Sequence, residues 1–199
     1  MHPLARVVST IGTTLDQLGR KWALVGGLAV SAYVEPRFTR DVDIAVAVRD
    51  DSDAESLVAT LAGQGYTAAA IVEQEATGRL ATVRLHAPSR VGEDIVIDLL
   101  FASSGIEPEI AEQATRITLF EGVVVPVAQP GHLFALKLLA RDDARRPQDL
   151  VDIHALRAVL AEEEVARART AVQQIESRGC NRGRDLGRAI DEALEGPVP

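Results

Sequence analysis

The sequence is short of cysteine, lysine, aromatic residues and long apolar runs, and each shortage removes a class of protein. A single cysteine, Cys180, excludes an intramolecular disulfide and a zinc site built on cysteine pairs. Aromatic residues make up 4% of the 199 positions, so a core has to be assembled from Ala, Val, Leu and Ile. No run approaches the roughly 20 apolar residues of a membrane span. The N-terminus also lacks a basic segment followed by an apolar one. The expectation is therefore a cytoplasmic protein with no membrane partner. A net charge of −8 argues against broad, nonspecific nucleic-acid binding, which depends on neutralising phosphates. What is present is ordinary for a soluble globular chain, 47% hydrophobic and 25% charged. The charge is uneven, since ten of the arginines lie beyond residue 140. That leaves two readings open, a local basic face or solvated helix faces of mixed charge. His86, His132 and His154 are scattered and read as structural or exposed residues.

Hydrophobic spacing divides the chain. Leu4, Val7, Val8, Ile11, Leu15 and Leu18 recur at helical intervals and predict an amphipathic helix over residues 4–18. A short strand at 23–25 leads to Gly26-Gly27, whose backbone freedom suits a sharp turn. A helix over 28–34 follows, closed by Pro36. Asp53 is expected to cap a helix running to about Leu61. Strands are expected over 66–72, 80–86 and 94–101, separated by a loop at 88–92. A short helix at 107–114 precedes a hairpin of 117–120 and 123–127 around Glu121-Gly122. Gln129-Pro130-Gly131 marks a boundary, beyond which the pattern is wholly helical, over 132–139, 147–160, 162–175 and 185–194. The chain thus reads as α/β, with a mixed-sheet core at 1–128. A C-terminal helical region at 129–199 packs on that core because its apolar stripes need cover.

The stretch from Trp22 to Val48 carries the chemistry. Val42, Ile44, Val46 and Val48 alternate with Asp41, Asp43, Ala45 and Ala47, so in a strand both carboxylates project from one face. Two such acids repel unless a cation lies between them. Mg²⁺ is suited to the task because it favours one or two carboxylates together with substrate phosphates. Gly26-Gly27 ahead of a helix would present free N–H groups to those phosphates. In the later strand Asp98 falls opposite Ile95, Ile97 and Leu99, and an acid there is expensive to bury without a partner. It is either an edge-strand acid facing water or a third carboxylate of the site. Lys137, one of two lysines beside nineteen arginines, is either a phosphate-neutralising ammonium or a helix lysine reaching for solvent. Asp149 lies in the first turn of a helix opened by Pro147, where the dipole alone favours it. Arg37 would meet phosphate or form a salt bridge to Glu35 or to the acids. Arg146 would pair with Asp149 or meet substrate, and Asp152 is expected to be a helix-surface acid.

Gly-Gly followed by Arg37-x-Thr39-x-Asp41-x-Asp43 and an apolar strand resembles the nucleotidyltransferase superfamily. The form VGGLAVSAY…RFTRDVDIAV is most similar to the AbiEii-type nucleotidyltransferase toxins, which include the MenT-type enzymes. The segment HLFALKLLARDDARRPQDLVDI is similar to that family's later motif, so the resemblance covers about two-thirds of the chain. It implies a nucleotidyltransferase core sheet flanked by helices. It also implies an enzyme that moves a nucleoside monophosphate from an NTP to a hydroxyl, with Mg²⁺ or Mn²⁺ as cofactor. By resemblance Asp41, Asp43 and Asp98 are metal ligands, and Asp98 is also a candidate base. Gly26, Gly27, Arg37 and Thr39 contact the nucleotide, Lys137 neutralises the triphosphate and Asp149 orients Lys137. A toxin with a cognate antitoxin, acting on the tRNA 3′ end, is the implied setting. Two alternatives stand beside it: nucleotidylation of a small aminoglycoside-type antibiotic, and a non-catalytic nucleotide-binding or antitoxin-type partner.

Overall fold

A computed structural model describes residues 2–37, 39–74, 77–88, 91 and 95–195. Helix α1 (Pro3–Gln17) begins on a proline, whose missing N–H costs nothing in a first turn, and it turns Val7, Val8, Ile11 and Leu15 inward. Strand β1 (Trp22–Val25) is buried along its whole length and runs directly into α2 (Gly26–Val30). The helix expected at 28–34 therefore starts two residues earlier and is one turn long. Gly26 bends the chain at φ +67°, a left-handed conformation that glycine adopts without a side-chain clash. Strand β2 (Val42–Val46) alternates as its sequence demands, with Val42, Ile44 and Val46 buried.

Helix α3 (Asp51–Gly63) is capped by Asp50, whose side chain accepts from the Asp53 amide at 2.8 Å. Asp53 is thus not the cap that the sequence suggests. It lies in the first turn, bound by Arg20 at 2.8 Å, and hydrogen bonds from Arg20 and Arg49 hold its carboxyl down at about 2. Strands β3 (Thr67–Glu73), β4 (Leu80–His86) and β5 (Val96–Leu100) follow. Asp94 and most of the loop expected at 88–92 lie outside the described residues. Helix α4 (Glu107–Glu112) precedes the hairpin of β6 (Thr115–Phe120) and β7 (Val123–Val127). Helices α5 (Pro130–Ala140), α6 (Pro147–Arg157), α7 (Glu162–Ser177) and α8 (Leu186–Glu195) complete the chain.

Among the described residues the seven strands form one mixed sheet in the order β3-β4-β5-β2-β1-β7-β6. Strand β2 runs antiparallel to β1 and parallel to β5, while β1 and β7 are parallel. This is the mixed α/β arrangement that the sequence predicts. Strand β5 lies inside the sheet, between β4 and β2, and is not an edge strand. Buried residues of the sheet, of α1 and of α5 to α8 form one apolar cluster, with Phe134 of α5 fully enclosed. Among the described residues no helix is long and apolar enough to cross a membrane.

Candidate active site

The parallel pairing of β2 with β5 sets Asp43 directly beside Asp98. Residues so placed on neighbouring strands share a face at a separation of about 5 Å. On the far side of β5, Arg84 of β4 is the register partner of Asp98. Its guanidinium clamps that carboxylate with two hydrogen bonds, Nε to Oδ1 at 2.9 Å and Nη2 to Oδ2 at 2.7 Å. Asp98 therefore has the partner that an acid in an apolar strand requires. Asp43 accepts no hydrogen bond among the described residues, and its pKa shows the strain. Burial, and next the charge of Asp98, push the Asp43 carboxyl up to about 6, with Lys137 drawing it partly back.

The two glycines explain why this carboxylate is so confined. A Cβ added at Gly26 would overlap the Asp43 carboxylate, and one at Gly27 would meet Arg37 Nη2 at 2.5 Å. The β1–α2 turn thus packs bare backbone against one acid and one guanidinium.

Facing the acids is a chain of alternating charges. Arg37 donates to Asp152 twice, Nε to Oδ1 at 2.7 Å and Nη2 to Oδ2 at 2.8 Å. Lys137 Nζ lies 2.8 Å from Asp152 Oδ2 and 2.8 Å from Asp149 Oδ1. Arg146 Nε approaches Asp149 Oδ2 at 2.8 Å, an ion pair without hydrogen-bond alignment. Lys137, Asp149 and Asp152 are all buried. Burial opposes ionisation of Asp152, but hydrogen bonds from Arg37 and Lys137 prevail and lower its pKa. Asp152 is thus a buried partner, not the surface acid expected from sequence. Asp149 occupies the first turn of α6 and also accepts a hydrogen bond from Lys137. Arg37 chooses Asp152 over Glu35. Neither the Arg84 clamp nor the Asp152 link was anticipated. The only local hint of the second is that Asp149 and Asp152 are three apart, on one face of α6.

Acids and cations border one cavity of about 520 Å³, which Gly26, Gly27, Thr39 and Asp41 also line. Among the described residues its walls carry six cations, Arg37, Arg84, Lys137, Arg145, Arg146 and Arg182, against the four carboxylates of Asp41, Asp43, Asp98 and Asp149. Every sequence-selected site residue reaches this wall. Among the described residues, however, no three acid, histidine or cysteine side chains cluster closely enough to hold one ion. The donors on offer are all carboxylate oxygens, which suit Mg²⁺ or Mn²⁺. Asp43 in particular is an acid that lacks a counter-charge of its own. The residues present fit a hard divalent ion on that ground.

Comparison with known proteins adds a lineage. The family described as “Nucleotidyl transferase AbiEii toxin, Type IV TA system” matches residues 12–198. No curated protein is detectably similar. Among solved structures, an antigenic nucleotidyltransferase-like protein from Paracoccidioides brasiliensis shares the fold. It has a TM-score of 0.55 at 20% identity, covering 98% of this chain and 97% of that one. More remote are the lincosamide antibiotic adenylyltransferase LnuA with lincomycin bound (TM-score 0.43, 13% identity, 84% of this chain and 93% of that one) and the antibiotic-resistance factor ANT(2'')-Ia (0.45, 15%, 97% and 94%).

Proposed function

From the premise that the chain belongs to the nucleotidyl transferase AbiEii toxin family, we propose that it transfers a nucleoside monophosphate from an NTP to a hydroxyl acceptor at this cavity. One observation carries the reading. Asp43 and Asp98 are held side by side, and Asp43 is pushed up to about 6 by burial and by its neighbour's charge. Folded proteins rarely confine like charges unless a cation or a reaction uses them. Asp41 and Asp43 would hold Mg²⁺ or Mn²⁺, with Asp98 joining once Arg84 yields an oxygen. The bound ion would neutralise phosphate charge and acidify the attacking hydroxyl.

The chain's own residues would do the rest. Gly26 and Gly27 bring backbone close to the nucleotide phosphates, with Thr39 and Arg37 beside them. Lys137 has three N–H donors, and Asp149 and Asp152 occupy two. The third is left for the triphosphate, and Asp149 fixes where it points. As the acceptor oxygen bonds to the α-phosphorus, the α–β bridging bond breaks and pyrophosphate leaves with that bond's electron pair. The hydroxyl proton passes to the Asp98 carboxylate.

The preponderance of cations on the cavity wall favours a polyphosphate and a nucleic-acid end, such as the tRNA 3′ terminus, over a cationic aminoglycoside. The family's toxin–antitoxin setting supports a cognate antitoxin as partner. The deciding assay incubates the protein with α-³²P-labelled NTPs, Mg²⁺ or Mn²⁺, and either total tRNA or an aminoglycoside panel. Label should move to tRNA, and Asp43→Asn should cut the rate by more than about a hundredfold. Absence of transfer from every NTP to every acceptor removes the proposal.

A further inference from the structure

A second cavity, of about 570 Å³, opens between β3, β4 and the loop joining α7 to α8. It shares Thr82, Ser103 and Arg182 with the first cavity, so Arg182 lies on the boundary between them. We propose that Arg182 anchors a phosphate group at this junction, an assignment that rests on the nucleotidyl-transfer reading above.

Three features of Arg182 point to a ligand. Its backbone has φ +54°, and it is the one non-glycine residue with a positive φ among those described. Such a conformation costs about 1–2 kcal/mol and persists only where the surroundings enforce it. Here they do. Arg178 donates to Gly105 O and is ion-paired to Glu109, Cys180 is buried close to Gly105, and Asn181 Nδ2 donates to Arg184 O at 2.7 Å. The loop is braced so that residue 182 is held in a shape that glycine or asparagine would adopt more readily.

Second, the guanidinium has only neutral partners among the described residues, Ser103 Oγ at 3.1 Å and Ser103 O at 3.5 Å. Arg37, Arg84 and Arg146 on the same wall are, by contrast, each ion-paired to an aspartate. Third, it stands among like charges. Desolvation, then repulsion from Arg184 and Arg146, lowers its pKa. Because the residue is exposed at the cavity mouth, water moderates the first effect and the crowding of cations is the more telling part. Glu107 offsets part of that crowding, but no carboxylate bonds the guanidinium among the described residues, and a forked, charged donor so placed is suited to a phosphate, which it can engage bidentately. That phosphate would belong either to the NTP tail, bound in the first cavity, or to an acceptor strand entering through the second.

Binding of inorganic tripolyphosphate and of a triadenylate ribo-oligonucleotide, each with Mg²⁺, is measured for the full chain and for Arg182→Asn and Arg182→Lys. Asparagine tolerates the left-handed backbone better than arginine does, so thermal stability should hold or rise slightly even though the Ser103 contact is given up. Affinity for one probe should fall roughly tenfold in Arg182→Asn, the loss expected for one charge-assisted contact, and Arg182→Lys should recover part of it. Loss confined to tripolyphosphate assigns the NTP tail, and loss confined to the oligonucleotide assigns the acceptor. Equal binding of both probes by wild type and variants overturns the assignment while leaving the transfer reading intact. So does an affinity loss that merely tracks a fall in Tm. A wild-type protein that binds neither probe removes both.

Discussion

Replacing Lys137 by methionine tests whether the buried charge chain is a scaffold, a catalytic device or both. Lys137 Nζ is 2.8 Å from an oxygen of Asp149 and 2.8 Å from one of Asp152, and the three side chains are at most 8% exposed. Methionine keeps much of the volume but strands two buried carboxylates. Removing one member of a buried ion pair costs about 3–5 kcal/mol. Each acid retains one cation here, Arg37 for Asp152 and the exposed Arg146 for Asp149. The lower end, about 3 kcal/mol, is therefore the expected loss, which for a chain of this size lowers Tm by roughly 6–12 °C. Adding Asp149→Asn removes one stranded charge. The double variant should be more stable than the sum of the two single effects by about 1.5–3 kcal/mol. Urea unfolding of the four proteins of this cycle measures the coupling, and label transfer from NTP measures activity alongside. If the ammonium neutralises the triphosphate, transfer stays lost in the restabilised double variant. Recovery of transfer would confine Lys137 to a scaffolding role. A Lys137→Met protein within about 1 kcal/mol of wild type would refute the electrostatic reasoning itself.

Two further perturbations separate neighbouring causes. Gly26 and Gly19 share a left-handed backbone, φ +67° and +65°, but a Cβ at Gly19 meets nothing whereas one at Gly26 overlaps Asp43. Alanine at Gly19 should cost about 1–2 kcal/mol in urea unfolding, alanine at Gly26 should cost more because its Cβ must also displace Asp43, and only Gly26→Ala should reduce transfer, by about a hundredfold; equal activities would mean that Asp43 is not held by that contact. His132 is 3% exposed and faces Glu164 and Arg167 of α7 and Glu109 of α4. Burial, then Arg167, lowers its pKa to about 4, below the unfolded value of 6.5. The folded state thus binds the proton less readily, so the stability contribution is complete above pH 6.5 and is lost as pH falls toward 4. Between pH 7 and pH 5 the loss is about 2 kcal/mol, and a His132→Leu protein should lack that component of the slope; the same slope in both would sink the assignment.

How much of this was legible in the sequence depends on how local the cause was. Strand β2 could be read because a period of two is written into Val42, Ile44 and Val46. A helix start could be read where a proline fixes the first turn, as at Pro147, whereas the helix expected from 132 begins two residues earlier, at Pro130, which the sequence marks only as part of a boundary. Asp41, Asp43, Asp98 and Lys137 could be named as residue types out of keeping with their surroundings. Their register could not, because the pairing of Asp43 with Asp98 is set by strands more than fifty residues apart in the chain. Arg84 escaped for the same reason, since nothing local in Leu80–His86 shows which strand will lie beside it.

Asp152 was misread by a rule that usually works. Polar helix residues face water unless a partner is available inside, and its partners come from two distant segments. Arg37 lies 115 positions away, in the loop before β2, and Lys137 is on the preceding helix. That long link bears on how the two parts of the chain depend on each other. Helix α6 supplies the acids that fix Arg37 beside Gly27, and Gly27 can approach Arg37 only because it lacks a Cβ. The glycine motif near the N-terminus and the acidic helix near the C-terminus therefore build one wall of the same cavity. Losing Asp152 would take from Arg37 its paired carboxylate and leave Lys137 with Asp149 as its carboxylate partner, so a change in the helical region should disturb the motif loop before it disturbs the sheet.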